Sequence, residues 1–434
     1  MMHHIGIRRE DKNKWERRVP ITPAHVKELK EHHQIQTIIQ SSTIRCFSDE
    51  SYKKAGAIVQ EDLSDSKVVF AVKEIPKELF EEKKTYIFFS HIIKGQKYNI
   101  PMLQTMIDKK CNLIDYEKIV DENNRRLIFF GRHAGIAGMV DTLWAFGQRL
   151  QHHYHIKTPF EKIKKTYQYP DLQTLKGHLT DLGKQIERKG INEKITPLIV
   201  GFSGYGNVSK GAQEIIDLFP LVEIQPKQIP TVFDDPSDRC IYKVVFKEED
   251  LVRPKQQDQK FNLQEYYNNP EQFESKFQQY TPSLSILMNC IYWDERYPRL
   301  ISKSYLKEAI HSDMFRLHIV GDISVDVNGA IQPTYKVTTP EQPVYVYNPD
   351  TDTHTDGFMG NGLAIMAVDN LPCELPKDAS TAFSEILWHF IPDIIHADYN
   401  VDFDDLILPP EIKNAVILHH GKLTPSYQYI NNFL

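Results

Sequence analysis

Short apolar runs alternate with longer polar segments along the first third of the chain. "HHIGI" from His3, "IQTIIQ" from Ile35, "VVFAV" from Val68, "TYIFF" from Thr85 and "NLID" from Asn112 have strand length, and "TPAHVKELKEHH", "SDESYKKAGAIVQE" and "IPMLQTMIDKK" between them have helical spacing. Runs that stay apolar without period-two alternation predict strands buried on both faces. Strand and helix taking turns predict a parallel sheet covered by helices. Thr22 followed by Pro23 predicts a helix start, because the missing N–H of proline costs nothing in a first turn. In such sheets, ligands bind beyond the carboxyl ends of the strands. Lys73, His91 and the stretch Asp115 to Glu117 each follow directly on a predicted strand, which puts three chemically useful loops on one rim. Taken singly, a lysine near a proline reads as solvated surface and a histidine in an aromatic run reads as core.

Beyond "RRLIFFGRHAGIAGMVDTLWAFGQRL" the pattern predicts a long helix, whose small residues Gly131, Ala134, Gly135, Ala137 and Gly138 permit close backbone approach, expected here against another domain. A second α/β unit opens at "KITPLIVGFSGYGNVSKGAQEI". There an apolar strand runs into Gly204-Tyr205-Gly206 and then a helix, the order in which a glycine turn and a helix N-terminus cradle a pyrophosphate. The spacing departs from GxGxxG, with Ser209 where the third glycine would stand. Glu223, near the end of the next predicted strand, is placed to accept the ribose hydroxyls of NAD. A strand running on to Gln225 would instead admit a 2′-phosphate, with Lys210 and Lys227 available to neutralise it. Residues of about 225–280 are polar and longer than an ordinary connection, and read as an elaborated insert or lid.

Composition narrows the class. The chain has 434 residues, 41% hydrophobic and 25% charged, which suffices for two or three globular domains. A net charge of −6 gives no general affinity for nucleic acid or an anionic membrane. No apolar run approaches the ~20 residues of a membrane helix. The five cysteines form no CxxC pair, so neither a metal knuckle nor a disulfide framework is expected. The charged start leaves no room for a signal or transit peptide and makes the cytoplasm the expected location, or the mitochondrion if a targeting extension precedes the sequence. Arg8, Arg9, Arg17 and Arg18 surround the first strand end. Charge runs are commonly solvated, and arginine forks also suit carboxylates.

Several segments together resemble a known family: "RREDKNKWERRVPITPAHVK", "SYKKAGAIVQEDLSD", "VKEIPKE", "KTYIFFSHIIKGQ", "LIDYEKIVD", "GYGNVSKGAQEI", "GDISVDVNGAI", "AVDNLPCELPKDAS" and "AVILHHGKLTPSYQYI". They resemble the lysine-ketoglutarate reductase part of the α-aminoadipic semialdehyde synthases, within the alanine dehydrogenase, transhydrogenase and saccharopine dehydrogenase group. The resemblance implies two Rossmann-like, doubly wound parallel-sheet domains with the active site in the cleft between them. Residues 1–134 and 336–434 would form the substrate domain, and 135–335 the dinucleotide-binding domain with the insert. The implied reaction condenses L-lysine with 2-oxoglutarate and reduces the imine with NADPH to saccharopine, NADH being the alternative donor. Lys73 and His91 would transfer protons. Arg18, Lys94 and Arg126 would hold carboxylates, and Glu16, Glu74 and Glu117 would hold ammonium groups. Gly204, Gly206, Asn207 and Val208 would hold the pyrophosphate, and Asp322 would lie near the nicotinamide ribose. No metal, nucleic acid or membrane partner is implied. Relatives carry an aromatic residue where this chain has His133, and Arg132 adds charge beside it. The resemblance stops where a saccharopine-cleaving half would follow, so a missing half or a separate partner enzyme is implied. The competing readings are an NAD-dependent, lysine-forming saccharopine dehydrogenase and a catalytically silent binding module.

Overall fold

The computed structural model describes residues 3–434. The chain forms two compact units, one from the start to Phe130 together with Pro376–Leu434, the other Gly131–Leu375. The first contains β1 (His3–Ile7), β2 (Ile35–Ile39), β3 (Ile58–Val59), β4 (Val68–Phe70), β5 (Thr85–Phe88) and β6 (Asn112–Asp115). The second contains β7 (Leu198–Ser203), β8 (Leu221–Ile224), β9 (Ile241–Phe246), β10 (Val252–Pro254), β11 (Phe273–Ser275), β12 (Ile286–Asn289), β13 (Ile319–Asp322), β14 (Val344–Asn348), β15 (Thr353–Asp356) and β16 (Leu363–Met366). After Pro376 the chain adds β17 (Val416–His419) and β18 (Lys422–Leu423) to the first unit.

The first sheet runs β18-β17-β6-β5-β4-β1-β2-β3. Strands β1 to β6 pair in parallel, and β17 closes the far side antiparallel to β6. The apolar runs behave as their pattern requires: every residue of β2, β4, β5 and β6 is buried, between helices and loops on both faces. Thr22 precedes Pro23 at the first turn of the Pro23–His33 helix, as expected.

The second sheet runs β15-β14-β16-β13-β12-β7-β9-β8, parallel from β8 through β16, with β14 and β15 antiparallel at one edge. Four sequence expectations change here. β8, next in chain order after the glycine-turn helix, does not pair with β7. β9 lies between them, because "IYKVVF" is apolar enough to be buried almost throughout, whereas "LVEI" leaves Val222 and Glu223 in water and suits an edge. The chain returns to the first unit at Pro376 and not near 336, since β14–β16 complete the second sheet. The polar stretch 225–280 supplies the interior strand β9, next to the edge, and a small β10–β11 sheet, and buries Tyr266, Phe273 and Phe277, so it is packed structure and not a lid. The long helix Gly131–His152 packs within its own unit on the Asn207–Ile216 helix.

That helix contact is glycine-dependent. A Cβ at Gly135 would lie 1.9 Å from the Val208 carbonyl oxygen, and one at Gly211 would lie 2.1 Å from the Arg132 carbonyl oxygen. No helix among the described residues is long and apolar enough to cross a membrane. Gly135→Ala should therefore destabilise the chain by about 1–3 kcal/mol, the range for overpacking. Gly177→Ala, in the Leu172–Lys189 helix where an added Cβ meets nothing within 4 Å, should instead stabilise by about 0.5–1 kcal/mol. Thermal and urea denaturation of the two variants would show opposite signs; equal signs would refute the packing account.

Candidate active site

Parallel pairing of β6, β5, β4 and β1 in adjacent positions lines up their carboxyl ends. The rim therefore carries, in spatial order, Asp115–Glu117, Ser90–His91, Lys73–Glu74 and Arg8–Glu10. His91 has a left-handed backbone, φ 49°, an uncommon state for a histidine that neighbouring groups must hold. Asn99 does so by donating to the carbonyl oxygens of Ser90 at 2.9 Å and His91 at 3.4 Å. Beneath, the Phe89 ring stacks on the His91 ring at 6.2 Å. Beyond it, Tyr429 Oη donates to the Ile93 carbonyl oxygen at 3.0 Å.

The His91 ring is oriented by a carboxylate. Nδ1 lies 2.7 Å from Glu74 Oε1, while Lys12 Nζ lies 2.8 Å from Glu74 Oε2. Burial opposes ionisation of Glu74, but the bonds from His91 and Lys12 outweigh it and hold the carboxyl below its usual range. Glu74, expected to hold an ammonium group, is thus committed to His91 and Lys12. Lys73 is half-buried. Its backbone N–H and that of Val72 are gripped by the buried Glu10 carboxylate, at 3.1 Å and 2.6 Å. Burial, and then the charge of Glu16, push Glu10 up to about 7.

Four of the remaining sequence candidates form two ion pairs. Arg18 forms a bidentate ion pair with Glu16, 2.8 Å and 2.6 Å, with 3% and 1% of each residue exposed. Its guanidinium lies 4.1 Å over the Phe130 ring, which stacks on Phe383. Arg126 pairs with Glu117 at 2.6 Å, and Lys94 is exposed. Arg132 is neutralised by Glu214 at 2.6 Å, and His133 is buried. Glu10, Lys12, Ser90 and Asn99 carried no signal in the sequence, because a lone carboxylate or amide past a strand looks like surface.

In the second unit, β7 ends in the turn Gly204-Tyr205-Gly206, with Gly204 at φ 86°, and the ten-residue Asn207–Ile216 helix follows. A Cβ added at Gly206 would meet nothing within 4 Å. Asn207 and Val208 open the helix, whose first N–H groups have no intrahelical acceptor, and this exposed turn fits a pyrophosphate. Asp322 ends β13, two strands away, and is buried. Its carboxylate accepts from Asn289 Nδ2 at 2.9 Å, the Val325 N–H at 3.2 Å and Thr334 Oγ1, and burial pushes it up to about 6. Glu223 lies on the edge strand and pairs with Lys243 at 2.5 Å. It is therefore not beside the glycine turn, contrary to the sequence expectation. Among the described residues no group of His, Cys, Asp and Glu could hold a metal ion, and all five cysteines are free thiols.

A fold of two such units, with this turn and this rim, defines an oxidoreductase class. The chain matches the family profiles "Alanine dehydrogenase/PNT, N-terminal domain" over residues 6–137 and "Alanine dehydrogenase/PNT, C-terminal domain" over residues 277–426, and it belongs to that family. Among curated relatives it is 34% identical, over 98% of its length, to an alpha-aminoadipic semialdehyde synthase of Arabidopsis thaliana, and 33% identical, over 99%, to the mitochondrial enzyme of that name from Mus musculus. It spans 41% and 48% of those proteins. A saccharopine dehydrogenase [NAD(+), L-lysine-forming] of Yarrowia lipolytica is 27% identical over 86% of the chain and 87% of that protein. Among solved structures, an L-alanine dehydrogenase aligns with a TM-score of 0.63 at 16% identity, covering 99% of this chain and all of that one, which establishes the fold.

Asp115 offers a pH test of the rim. It is buried and accepts from Ser90 Oγ and N–H and from the Glu117 N–H, and burial pushes its carboxyl from 3.8 up to about 6. A folded carboxyl raised above its unfolded value stabilises fully below about pH 4, and that contribution is lost as pH rises through about 6. Urea denaturation at stepped pH should show the parent losing on the order of 2 kcal/mol or more, relative to Asp115→Asn, across that window. A pH-independent difference would mean that Asp115 does not titrate there.

Proposed function

We propose that this chain catalyses the reductive condensation of L-lysine with 2-oxoglutarate to saccharopine. The observation that carries the reading is the His91–Glu74 contact of 2.7 Å on one strand-end rim with Lys73. The similarity to the semialdehyde synthases and saccharopine dehydrogenases supports the substrate class.

The condensation is a proton problem. The lysine ε-ammonium must lose one proton before nitrogen attacks the 2-oxo carbon, and the carbinolamine oxygen must gain one to leave as water. The rim takes one proton and returns one. Glu74 accepts from His91 Nδ1–H, which leaves Nε2 to exchange a proton with substrate. Lys73, on the adjacent strand end, is the second carrier. A reduced nicotinamide nucleotide bound at the Gly204–Val208 turn would supply the hydride that converts the iminium to the secondary amine of saccharopine. Asp322 would border its nicotinamide ribose.

Arg126 and Lys94, accessible to water, hold substrate carboxylates, with Glu117 released to an ammonium group. Arg18 and Glu16 already neutralise each other, and they shape the rim through Phe130. NADPH is the donor that the resemblance implies and NADH its alternative, a choice that falls to the ribose end of the second unit's turn. We place the activity in the cytoplasm, with the mitochondrion as the alternative. Saccharopine would pass to a cleaving enzyme, either a partner or a further part of a longer chain.

Oxidation of the reduced nucleotide should require lysine and 2-oxoglutarate together, and pyruvate with ammonia should give no rate. Turnover with pyruvate and ammonia, or without lysine, would overturn the assignment. Lys73→Met and His91→Gln should each lower kcat by about 10²–10⁴-fold, the range for a lost acid–base group, and leave nucleotide binding intact. Near-normal kcat in both variants would remove these two roles.

A further inference from the structure

Chain order makes β8 the strand that should read the adenosine ribose, but sheet order gives that place to β9. β9 pairs with β7 along its whole length, from Leu198 opposite Ile241 to Ser203 opposite Phe246. In a sheet with a glycine turn after its first strand, the ribose lies over the end of the strand next to it, on the side away from the switch point. That end is Phe246-Lys247-Glu248. The Gly204 N–H donates to the Phe246 carbonyl oxygen at 3.0 Å, so the turn and the strand end are joined through backbone.

Glu248 is half-buried and held in place. Tyr205 Oη, from between the two glycines, donates to its Oε2 at 3.2 Å, and Tyr267 Oη donates to its Oε1 at 2.7 Å. Tyr267 belongs to the insert, on the Leu263–Asn268 helix. A carboxylate has about four acceptor positions, so one that receives two phenols can still accept the two hydroxyls of a ribose. The charge nearby has one sign in excess: Lys247 is followed by Glu248, Glu249 and Asp250. A 2′-phosphate brought there would face like charge. Glu223, the residue that chain order selects, is occupied by Lys243 on the sheet edge.

We propose that Glu248 is the specificity-determining residue of the nucleotide site, reading the free 2′-hydroxyl of NADH and disfavouring NADPH, with Tyr267 as its positioning residue. The proposal rests on the nucleotide-site reading above and departs from the NADPH expectation. It also gives the insert a task, bracing the ribose end of the turn.

The test is direct binding of NADH and NADPH, read by nucleotide fluorescence without lysine or 2-oxoglutarate. Absence of saccharopine chemistry therefore leaves this readout untouched. The parent should bind NADH at least roughly ten-fold more tightly than NADPH. Glu248→Gln should collapse that ratio to about unity, Glu248→Arg should invert it, and Tyr267→Phe should lower it by a smaller factor. Glu223→Gln should leave it unchanged. A parent that binds NADPH as well as NADH overturns the proposal, as does a ratio that Glu248→Gln leaves intact or that Glu223→Gln moves. If neither nucleotide binds, the nucleotide-site reading fails and takes the proposal with it.

Discussion

Parallel strand pairing in adjacent positions is the constraint on which the first unit's chemistry depends. Once β1, β4, β5 and β6 hydrogen-bond side by side in one direction, their carboxyl ends fall on one rim and four separate stretches of chain converge there. Backbone registers of this kind fix where the loops that carry Glu10, Lys73 and His91 begin. The Phe89 N–H donates to the Val72 carbonyl oxygen at 3.1 Å, so the chain just before His91 and the chain just before Lys73 are tied by the ladder itself. The second unit repeats the device: β7 and β9 run in register, and the Gly204 turn hangs from the end of β9.

Convergence concentrates charge, and the chain manages that charge by pairing. Arg18 and Glu16 are nearly inaccessible to water and meet in bidentate geometry, the arrangement in which mutual attraction best offsets desolvation. Glu10, Asp115 and Asp322 are buried carboxylates satisfied by backbone N–H groups, hydroxyls and an amide. Each is pushed toward neutrality by burial. Burying such groups costs desolvation that their hydrogen bonds offset, and their value lies in orientation. Glu10 sets the backbone of Lys73, Asp115 sets Ser90 next to His91, and Glu74 sets the His91 ring. A proton carrier works only when its ring or amine points at the reacting atoms.

Local pattern carried much of the fold. Apolar runs of strand length, capped helices between them and the glycine turn after "LIVGFS" were legible because each is encoded by neighbours within a few residues. The positions of Lys73, His91, Gly204 and Asp322 at strand ends followed from the same runs. Pairing was not legible. Which candidates neutralise one another (Arg18 with Glu16, Arg126 with Glu117, Glu74 with His91) depends on distances across the rim that no spacing encodes. The order β8-β9-β7 was hidden for the same reason. Sequence sets how apolar a strand is, but competition among all strands for the interior places sits outside any local window, and "IYKVVF" wins it over "LVEI". The sequence by itself thus determined the alternation of elements, the two α/β units and the strand-end positions of the candidate side chains. Tertiary structure alone decided which strand borders the glycine turn, where the chain returns to the first unit, and which charges face a partner, because those are outcomes of long-range packing.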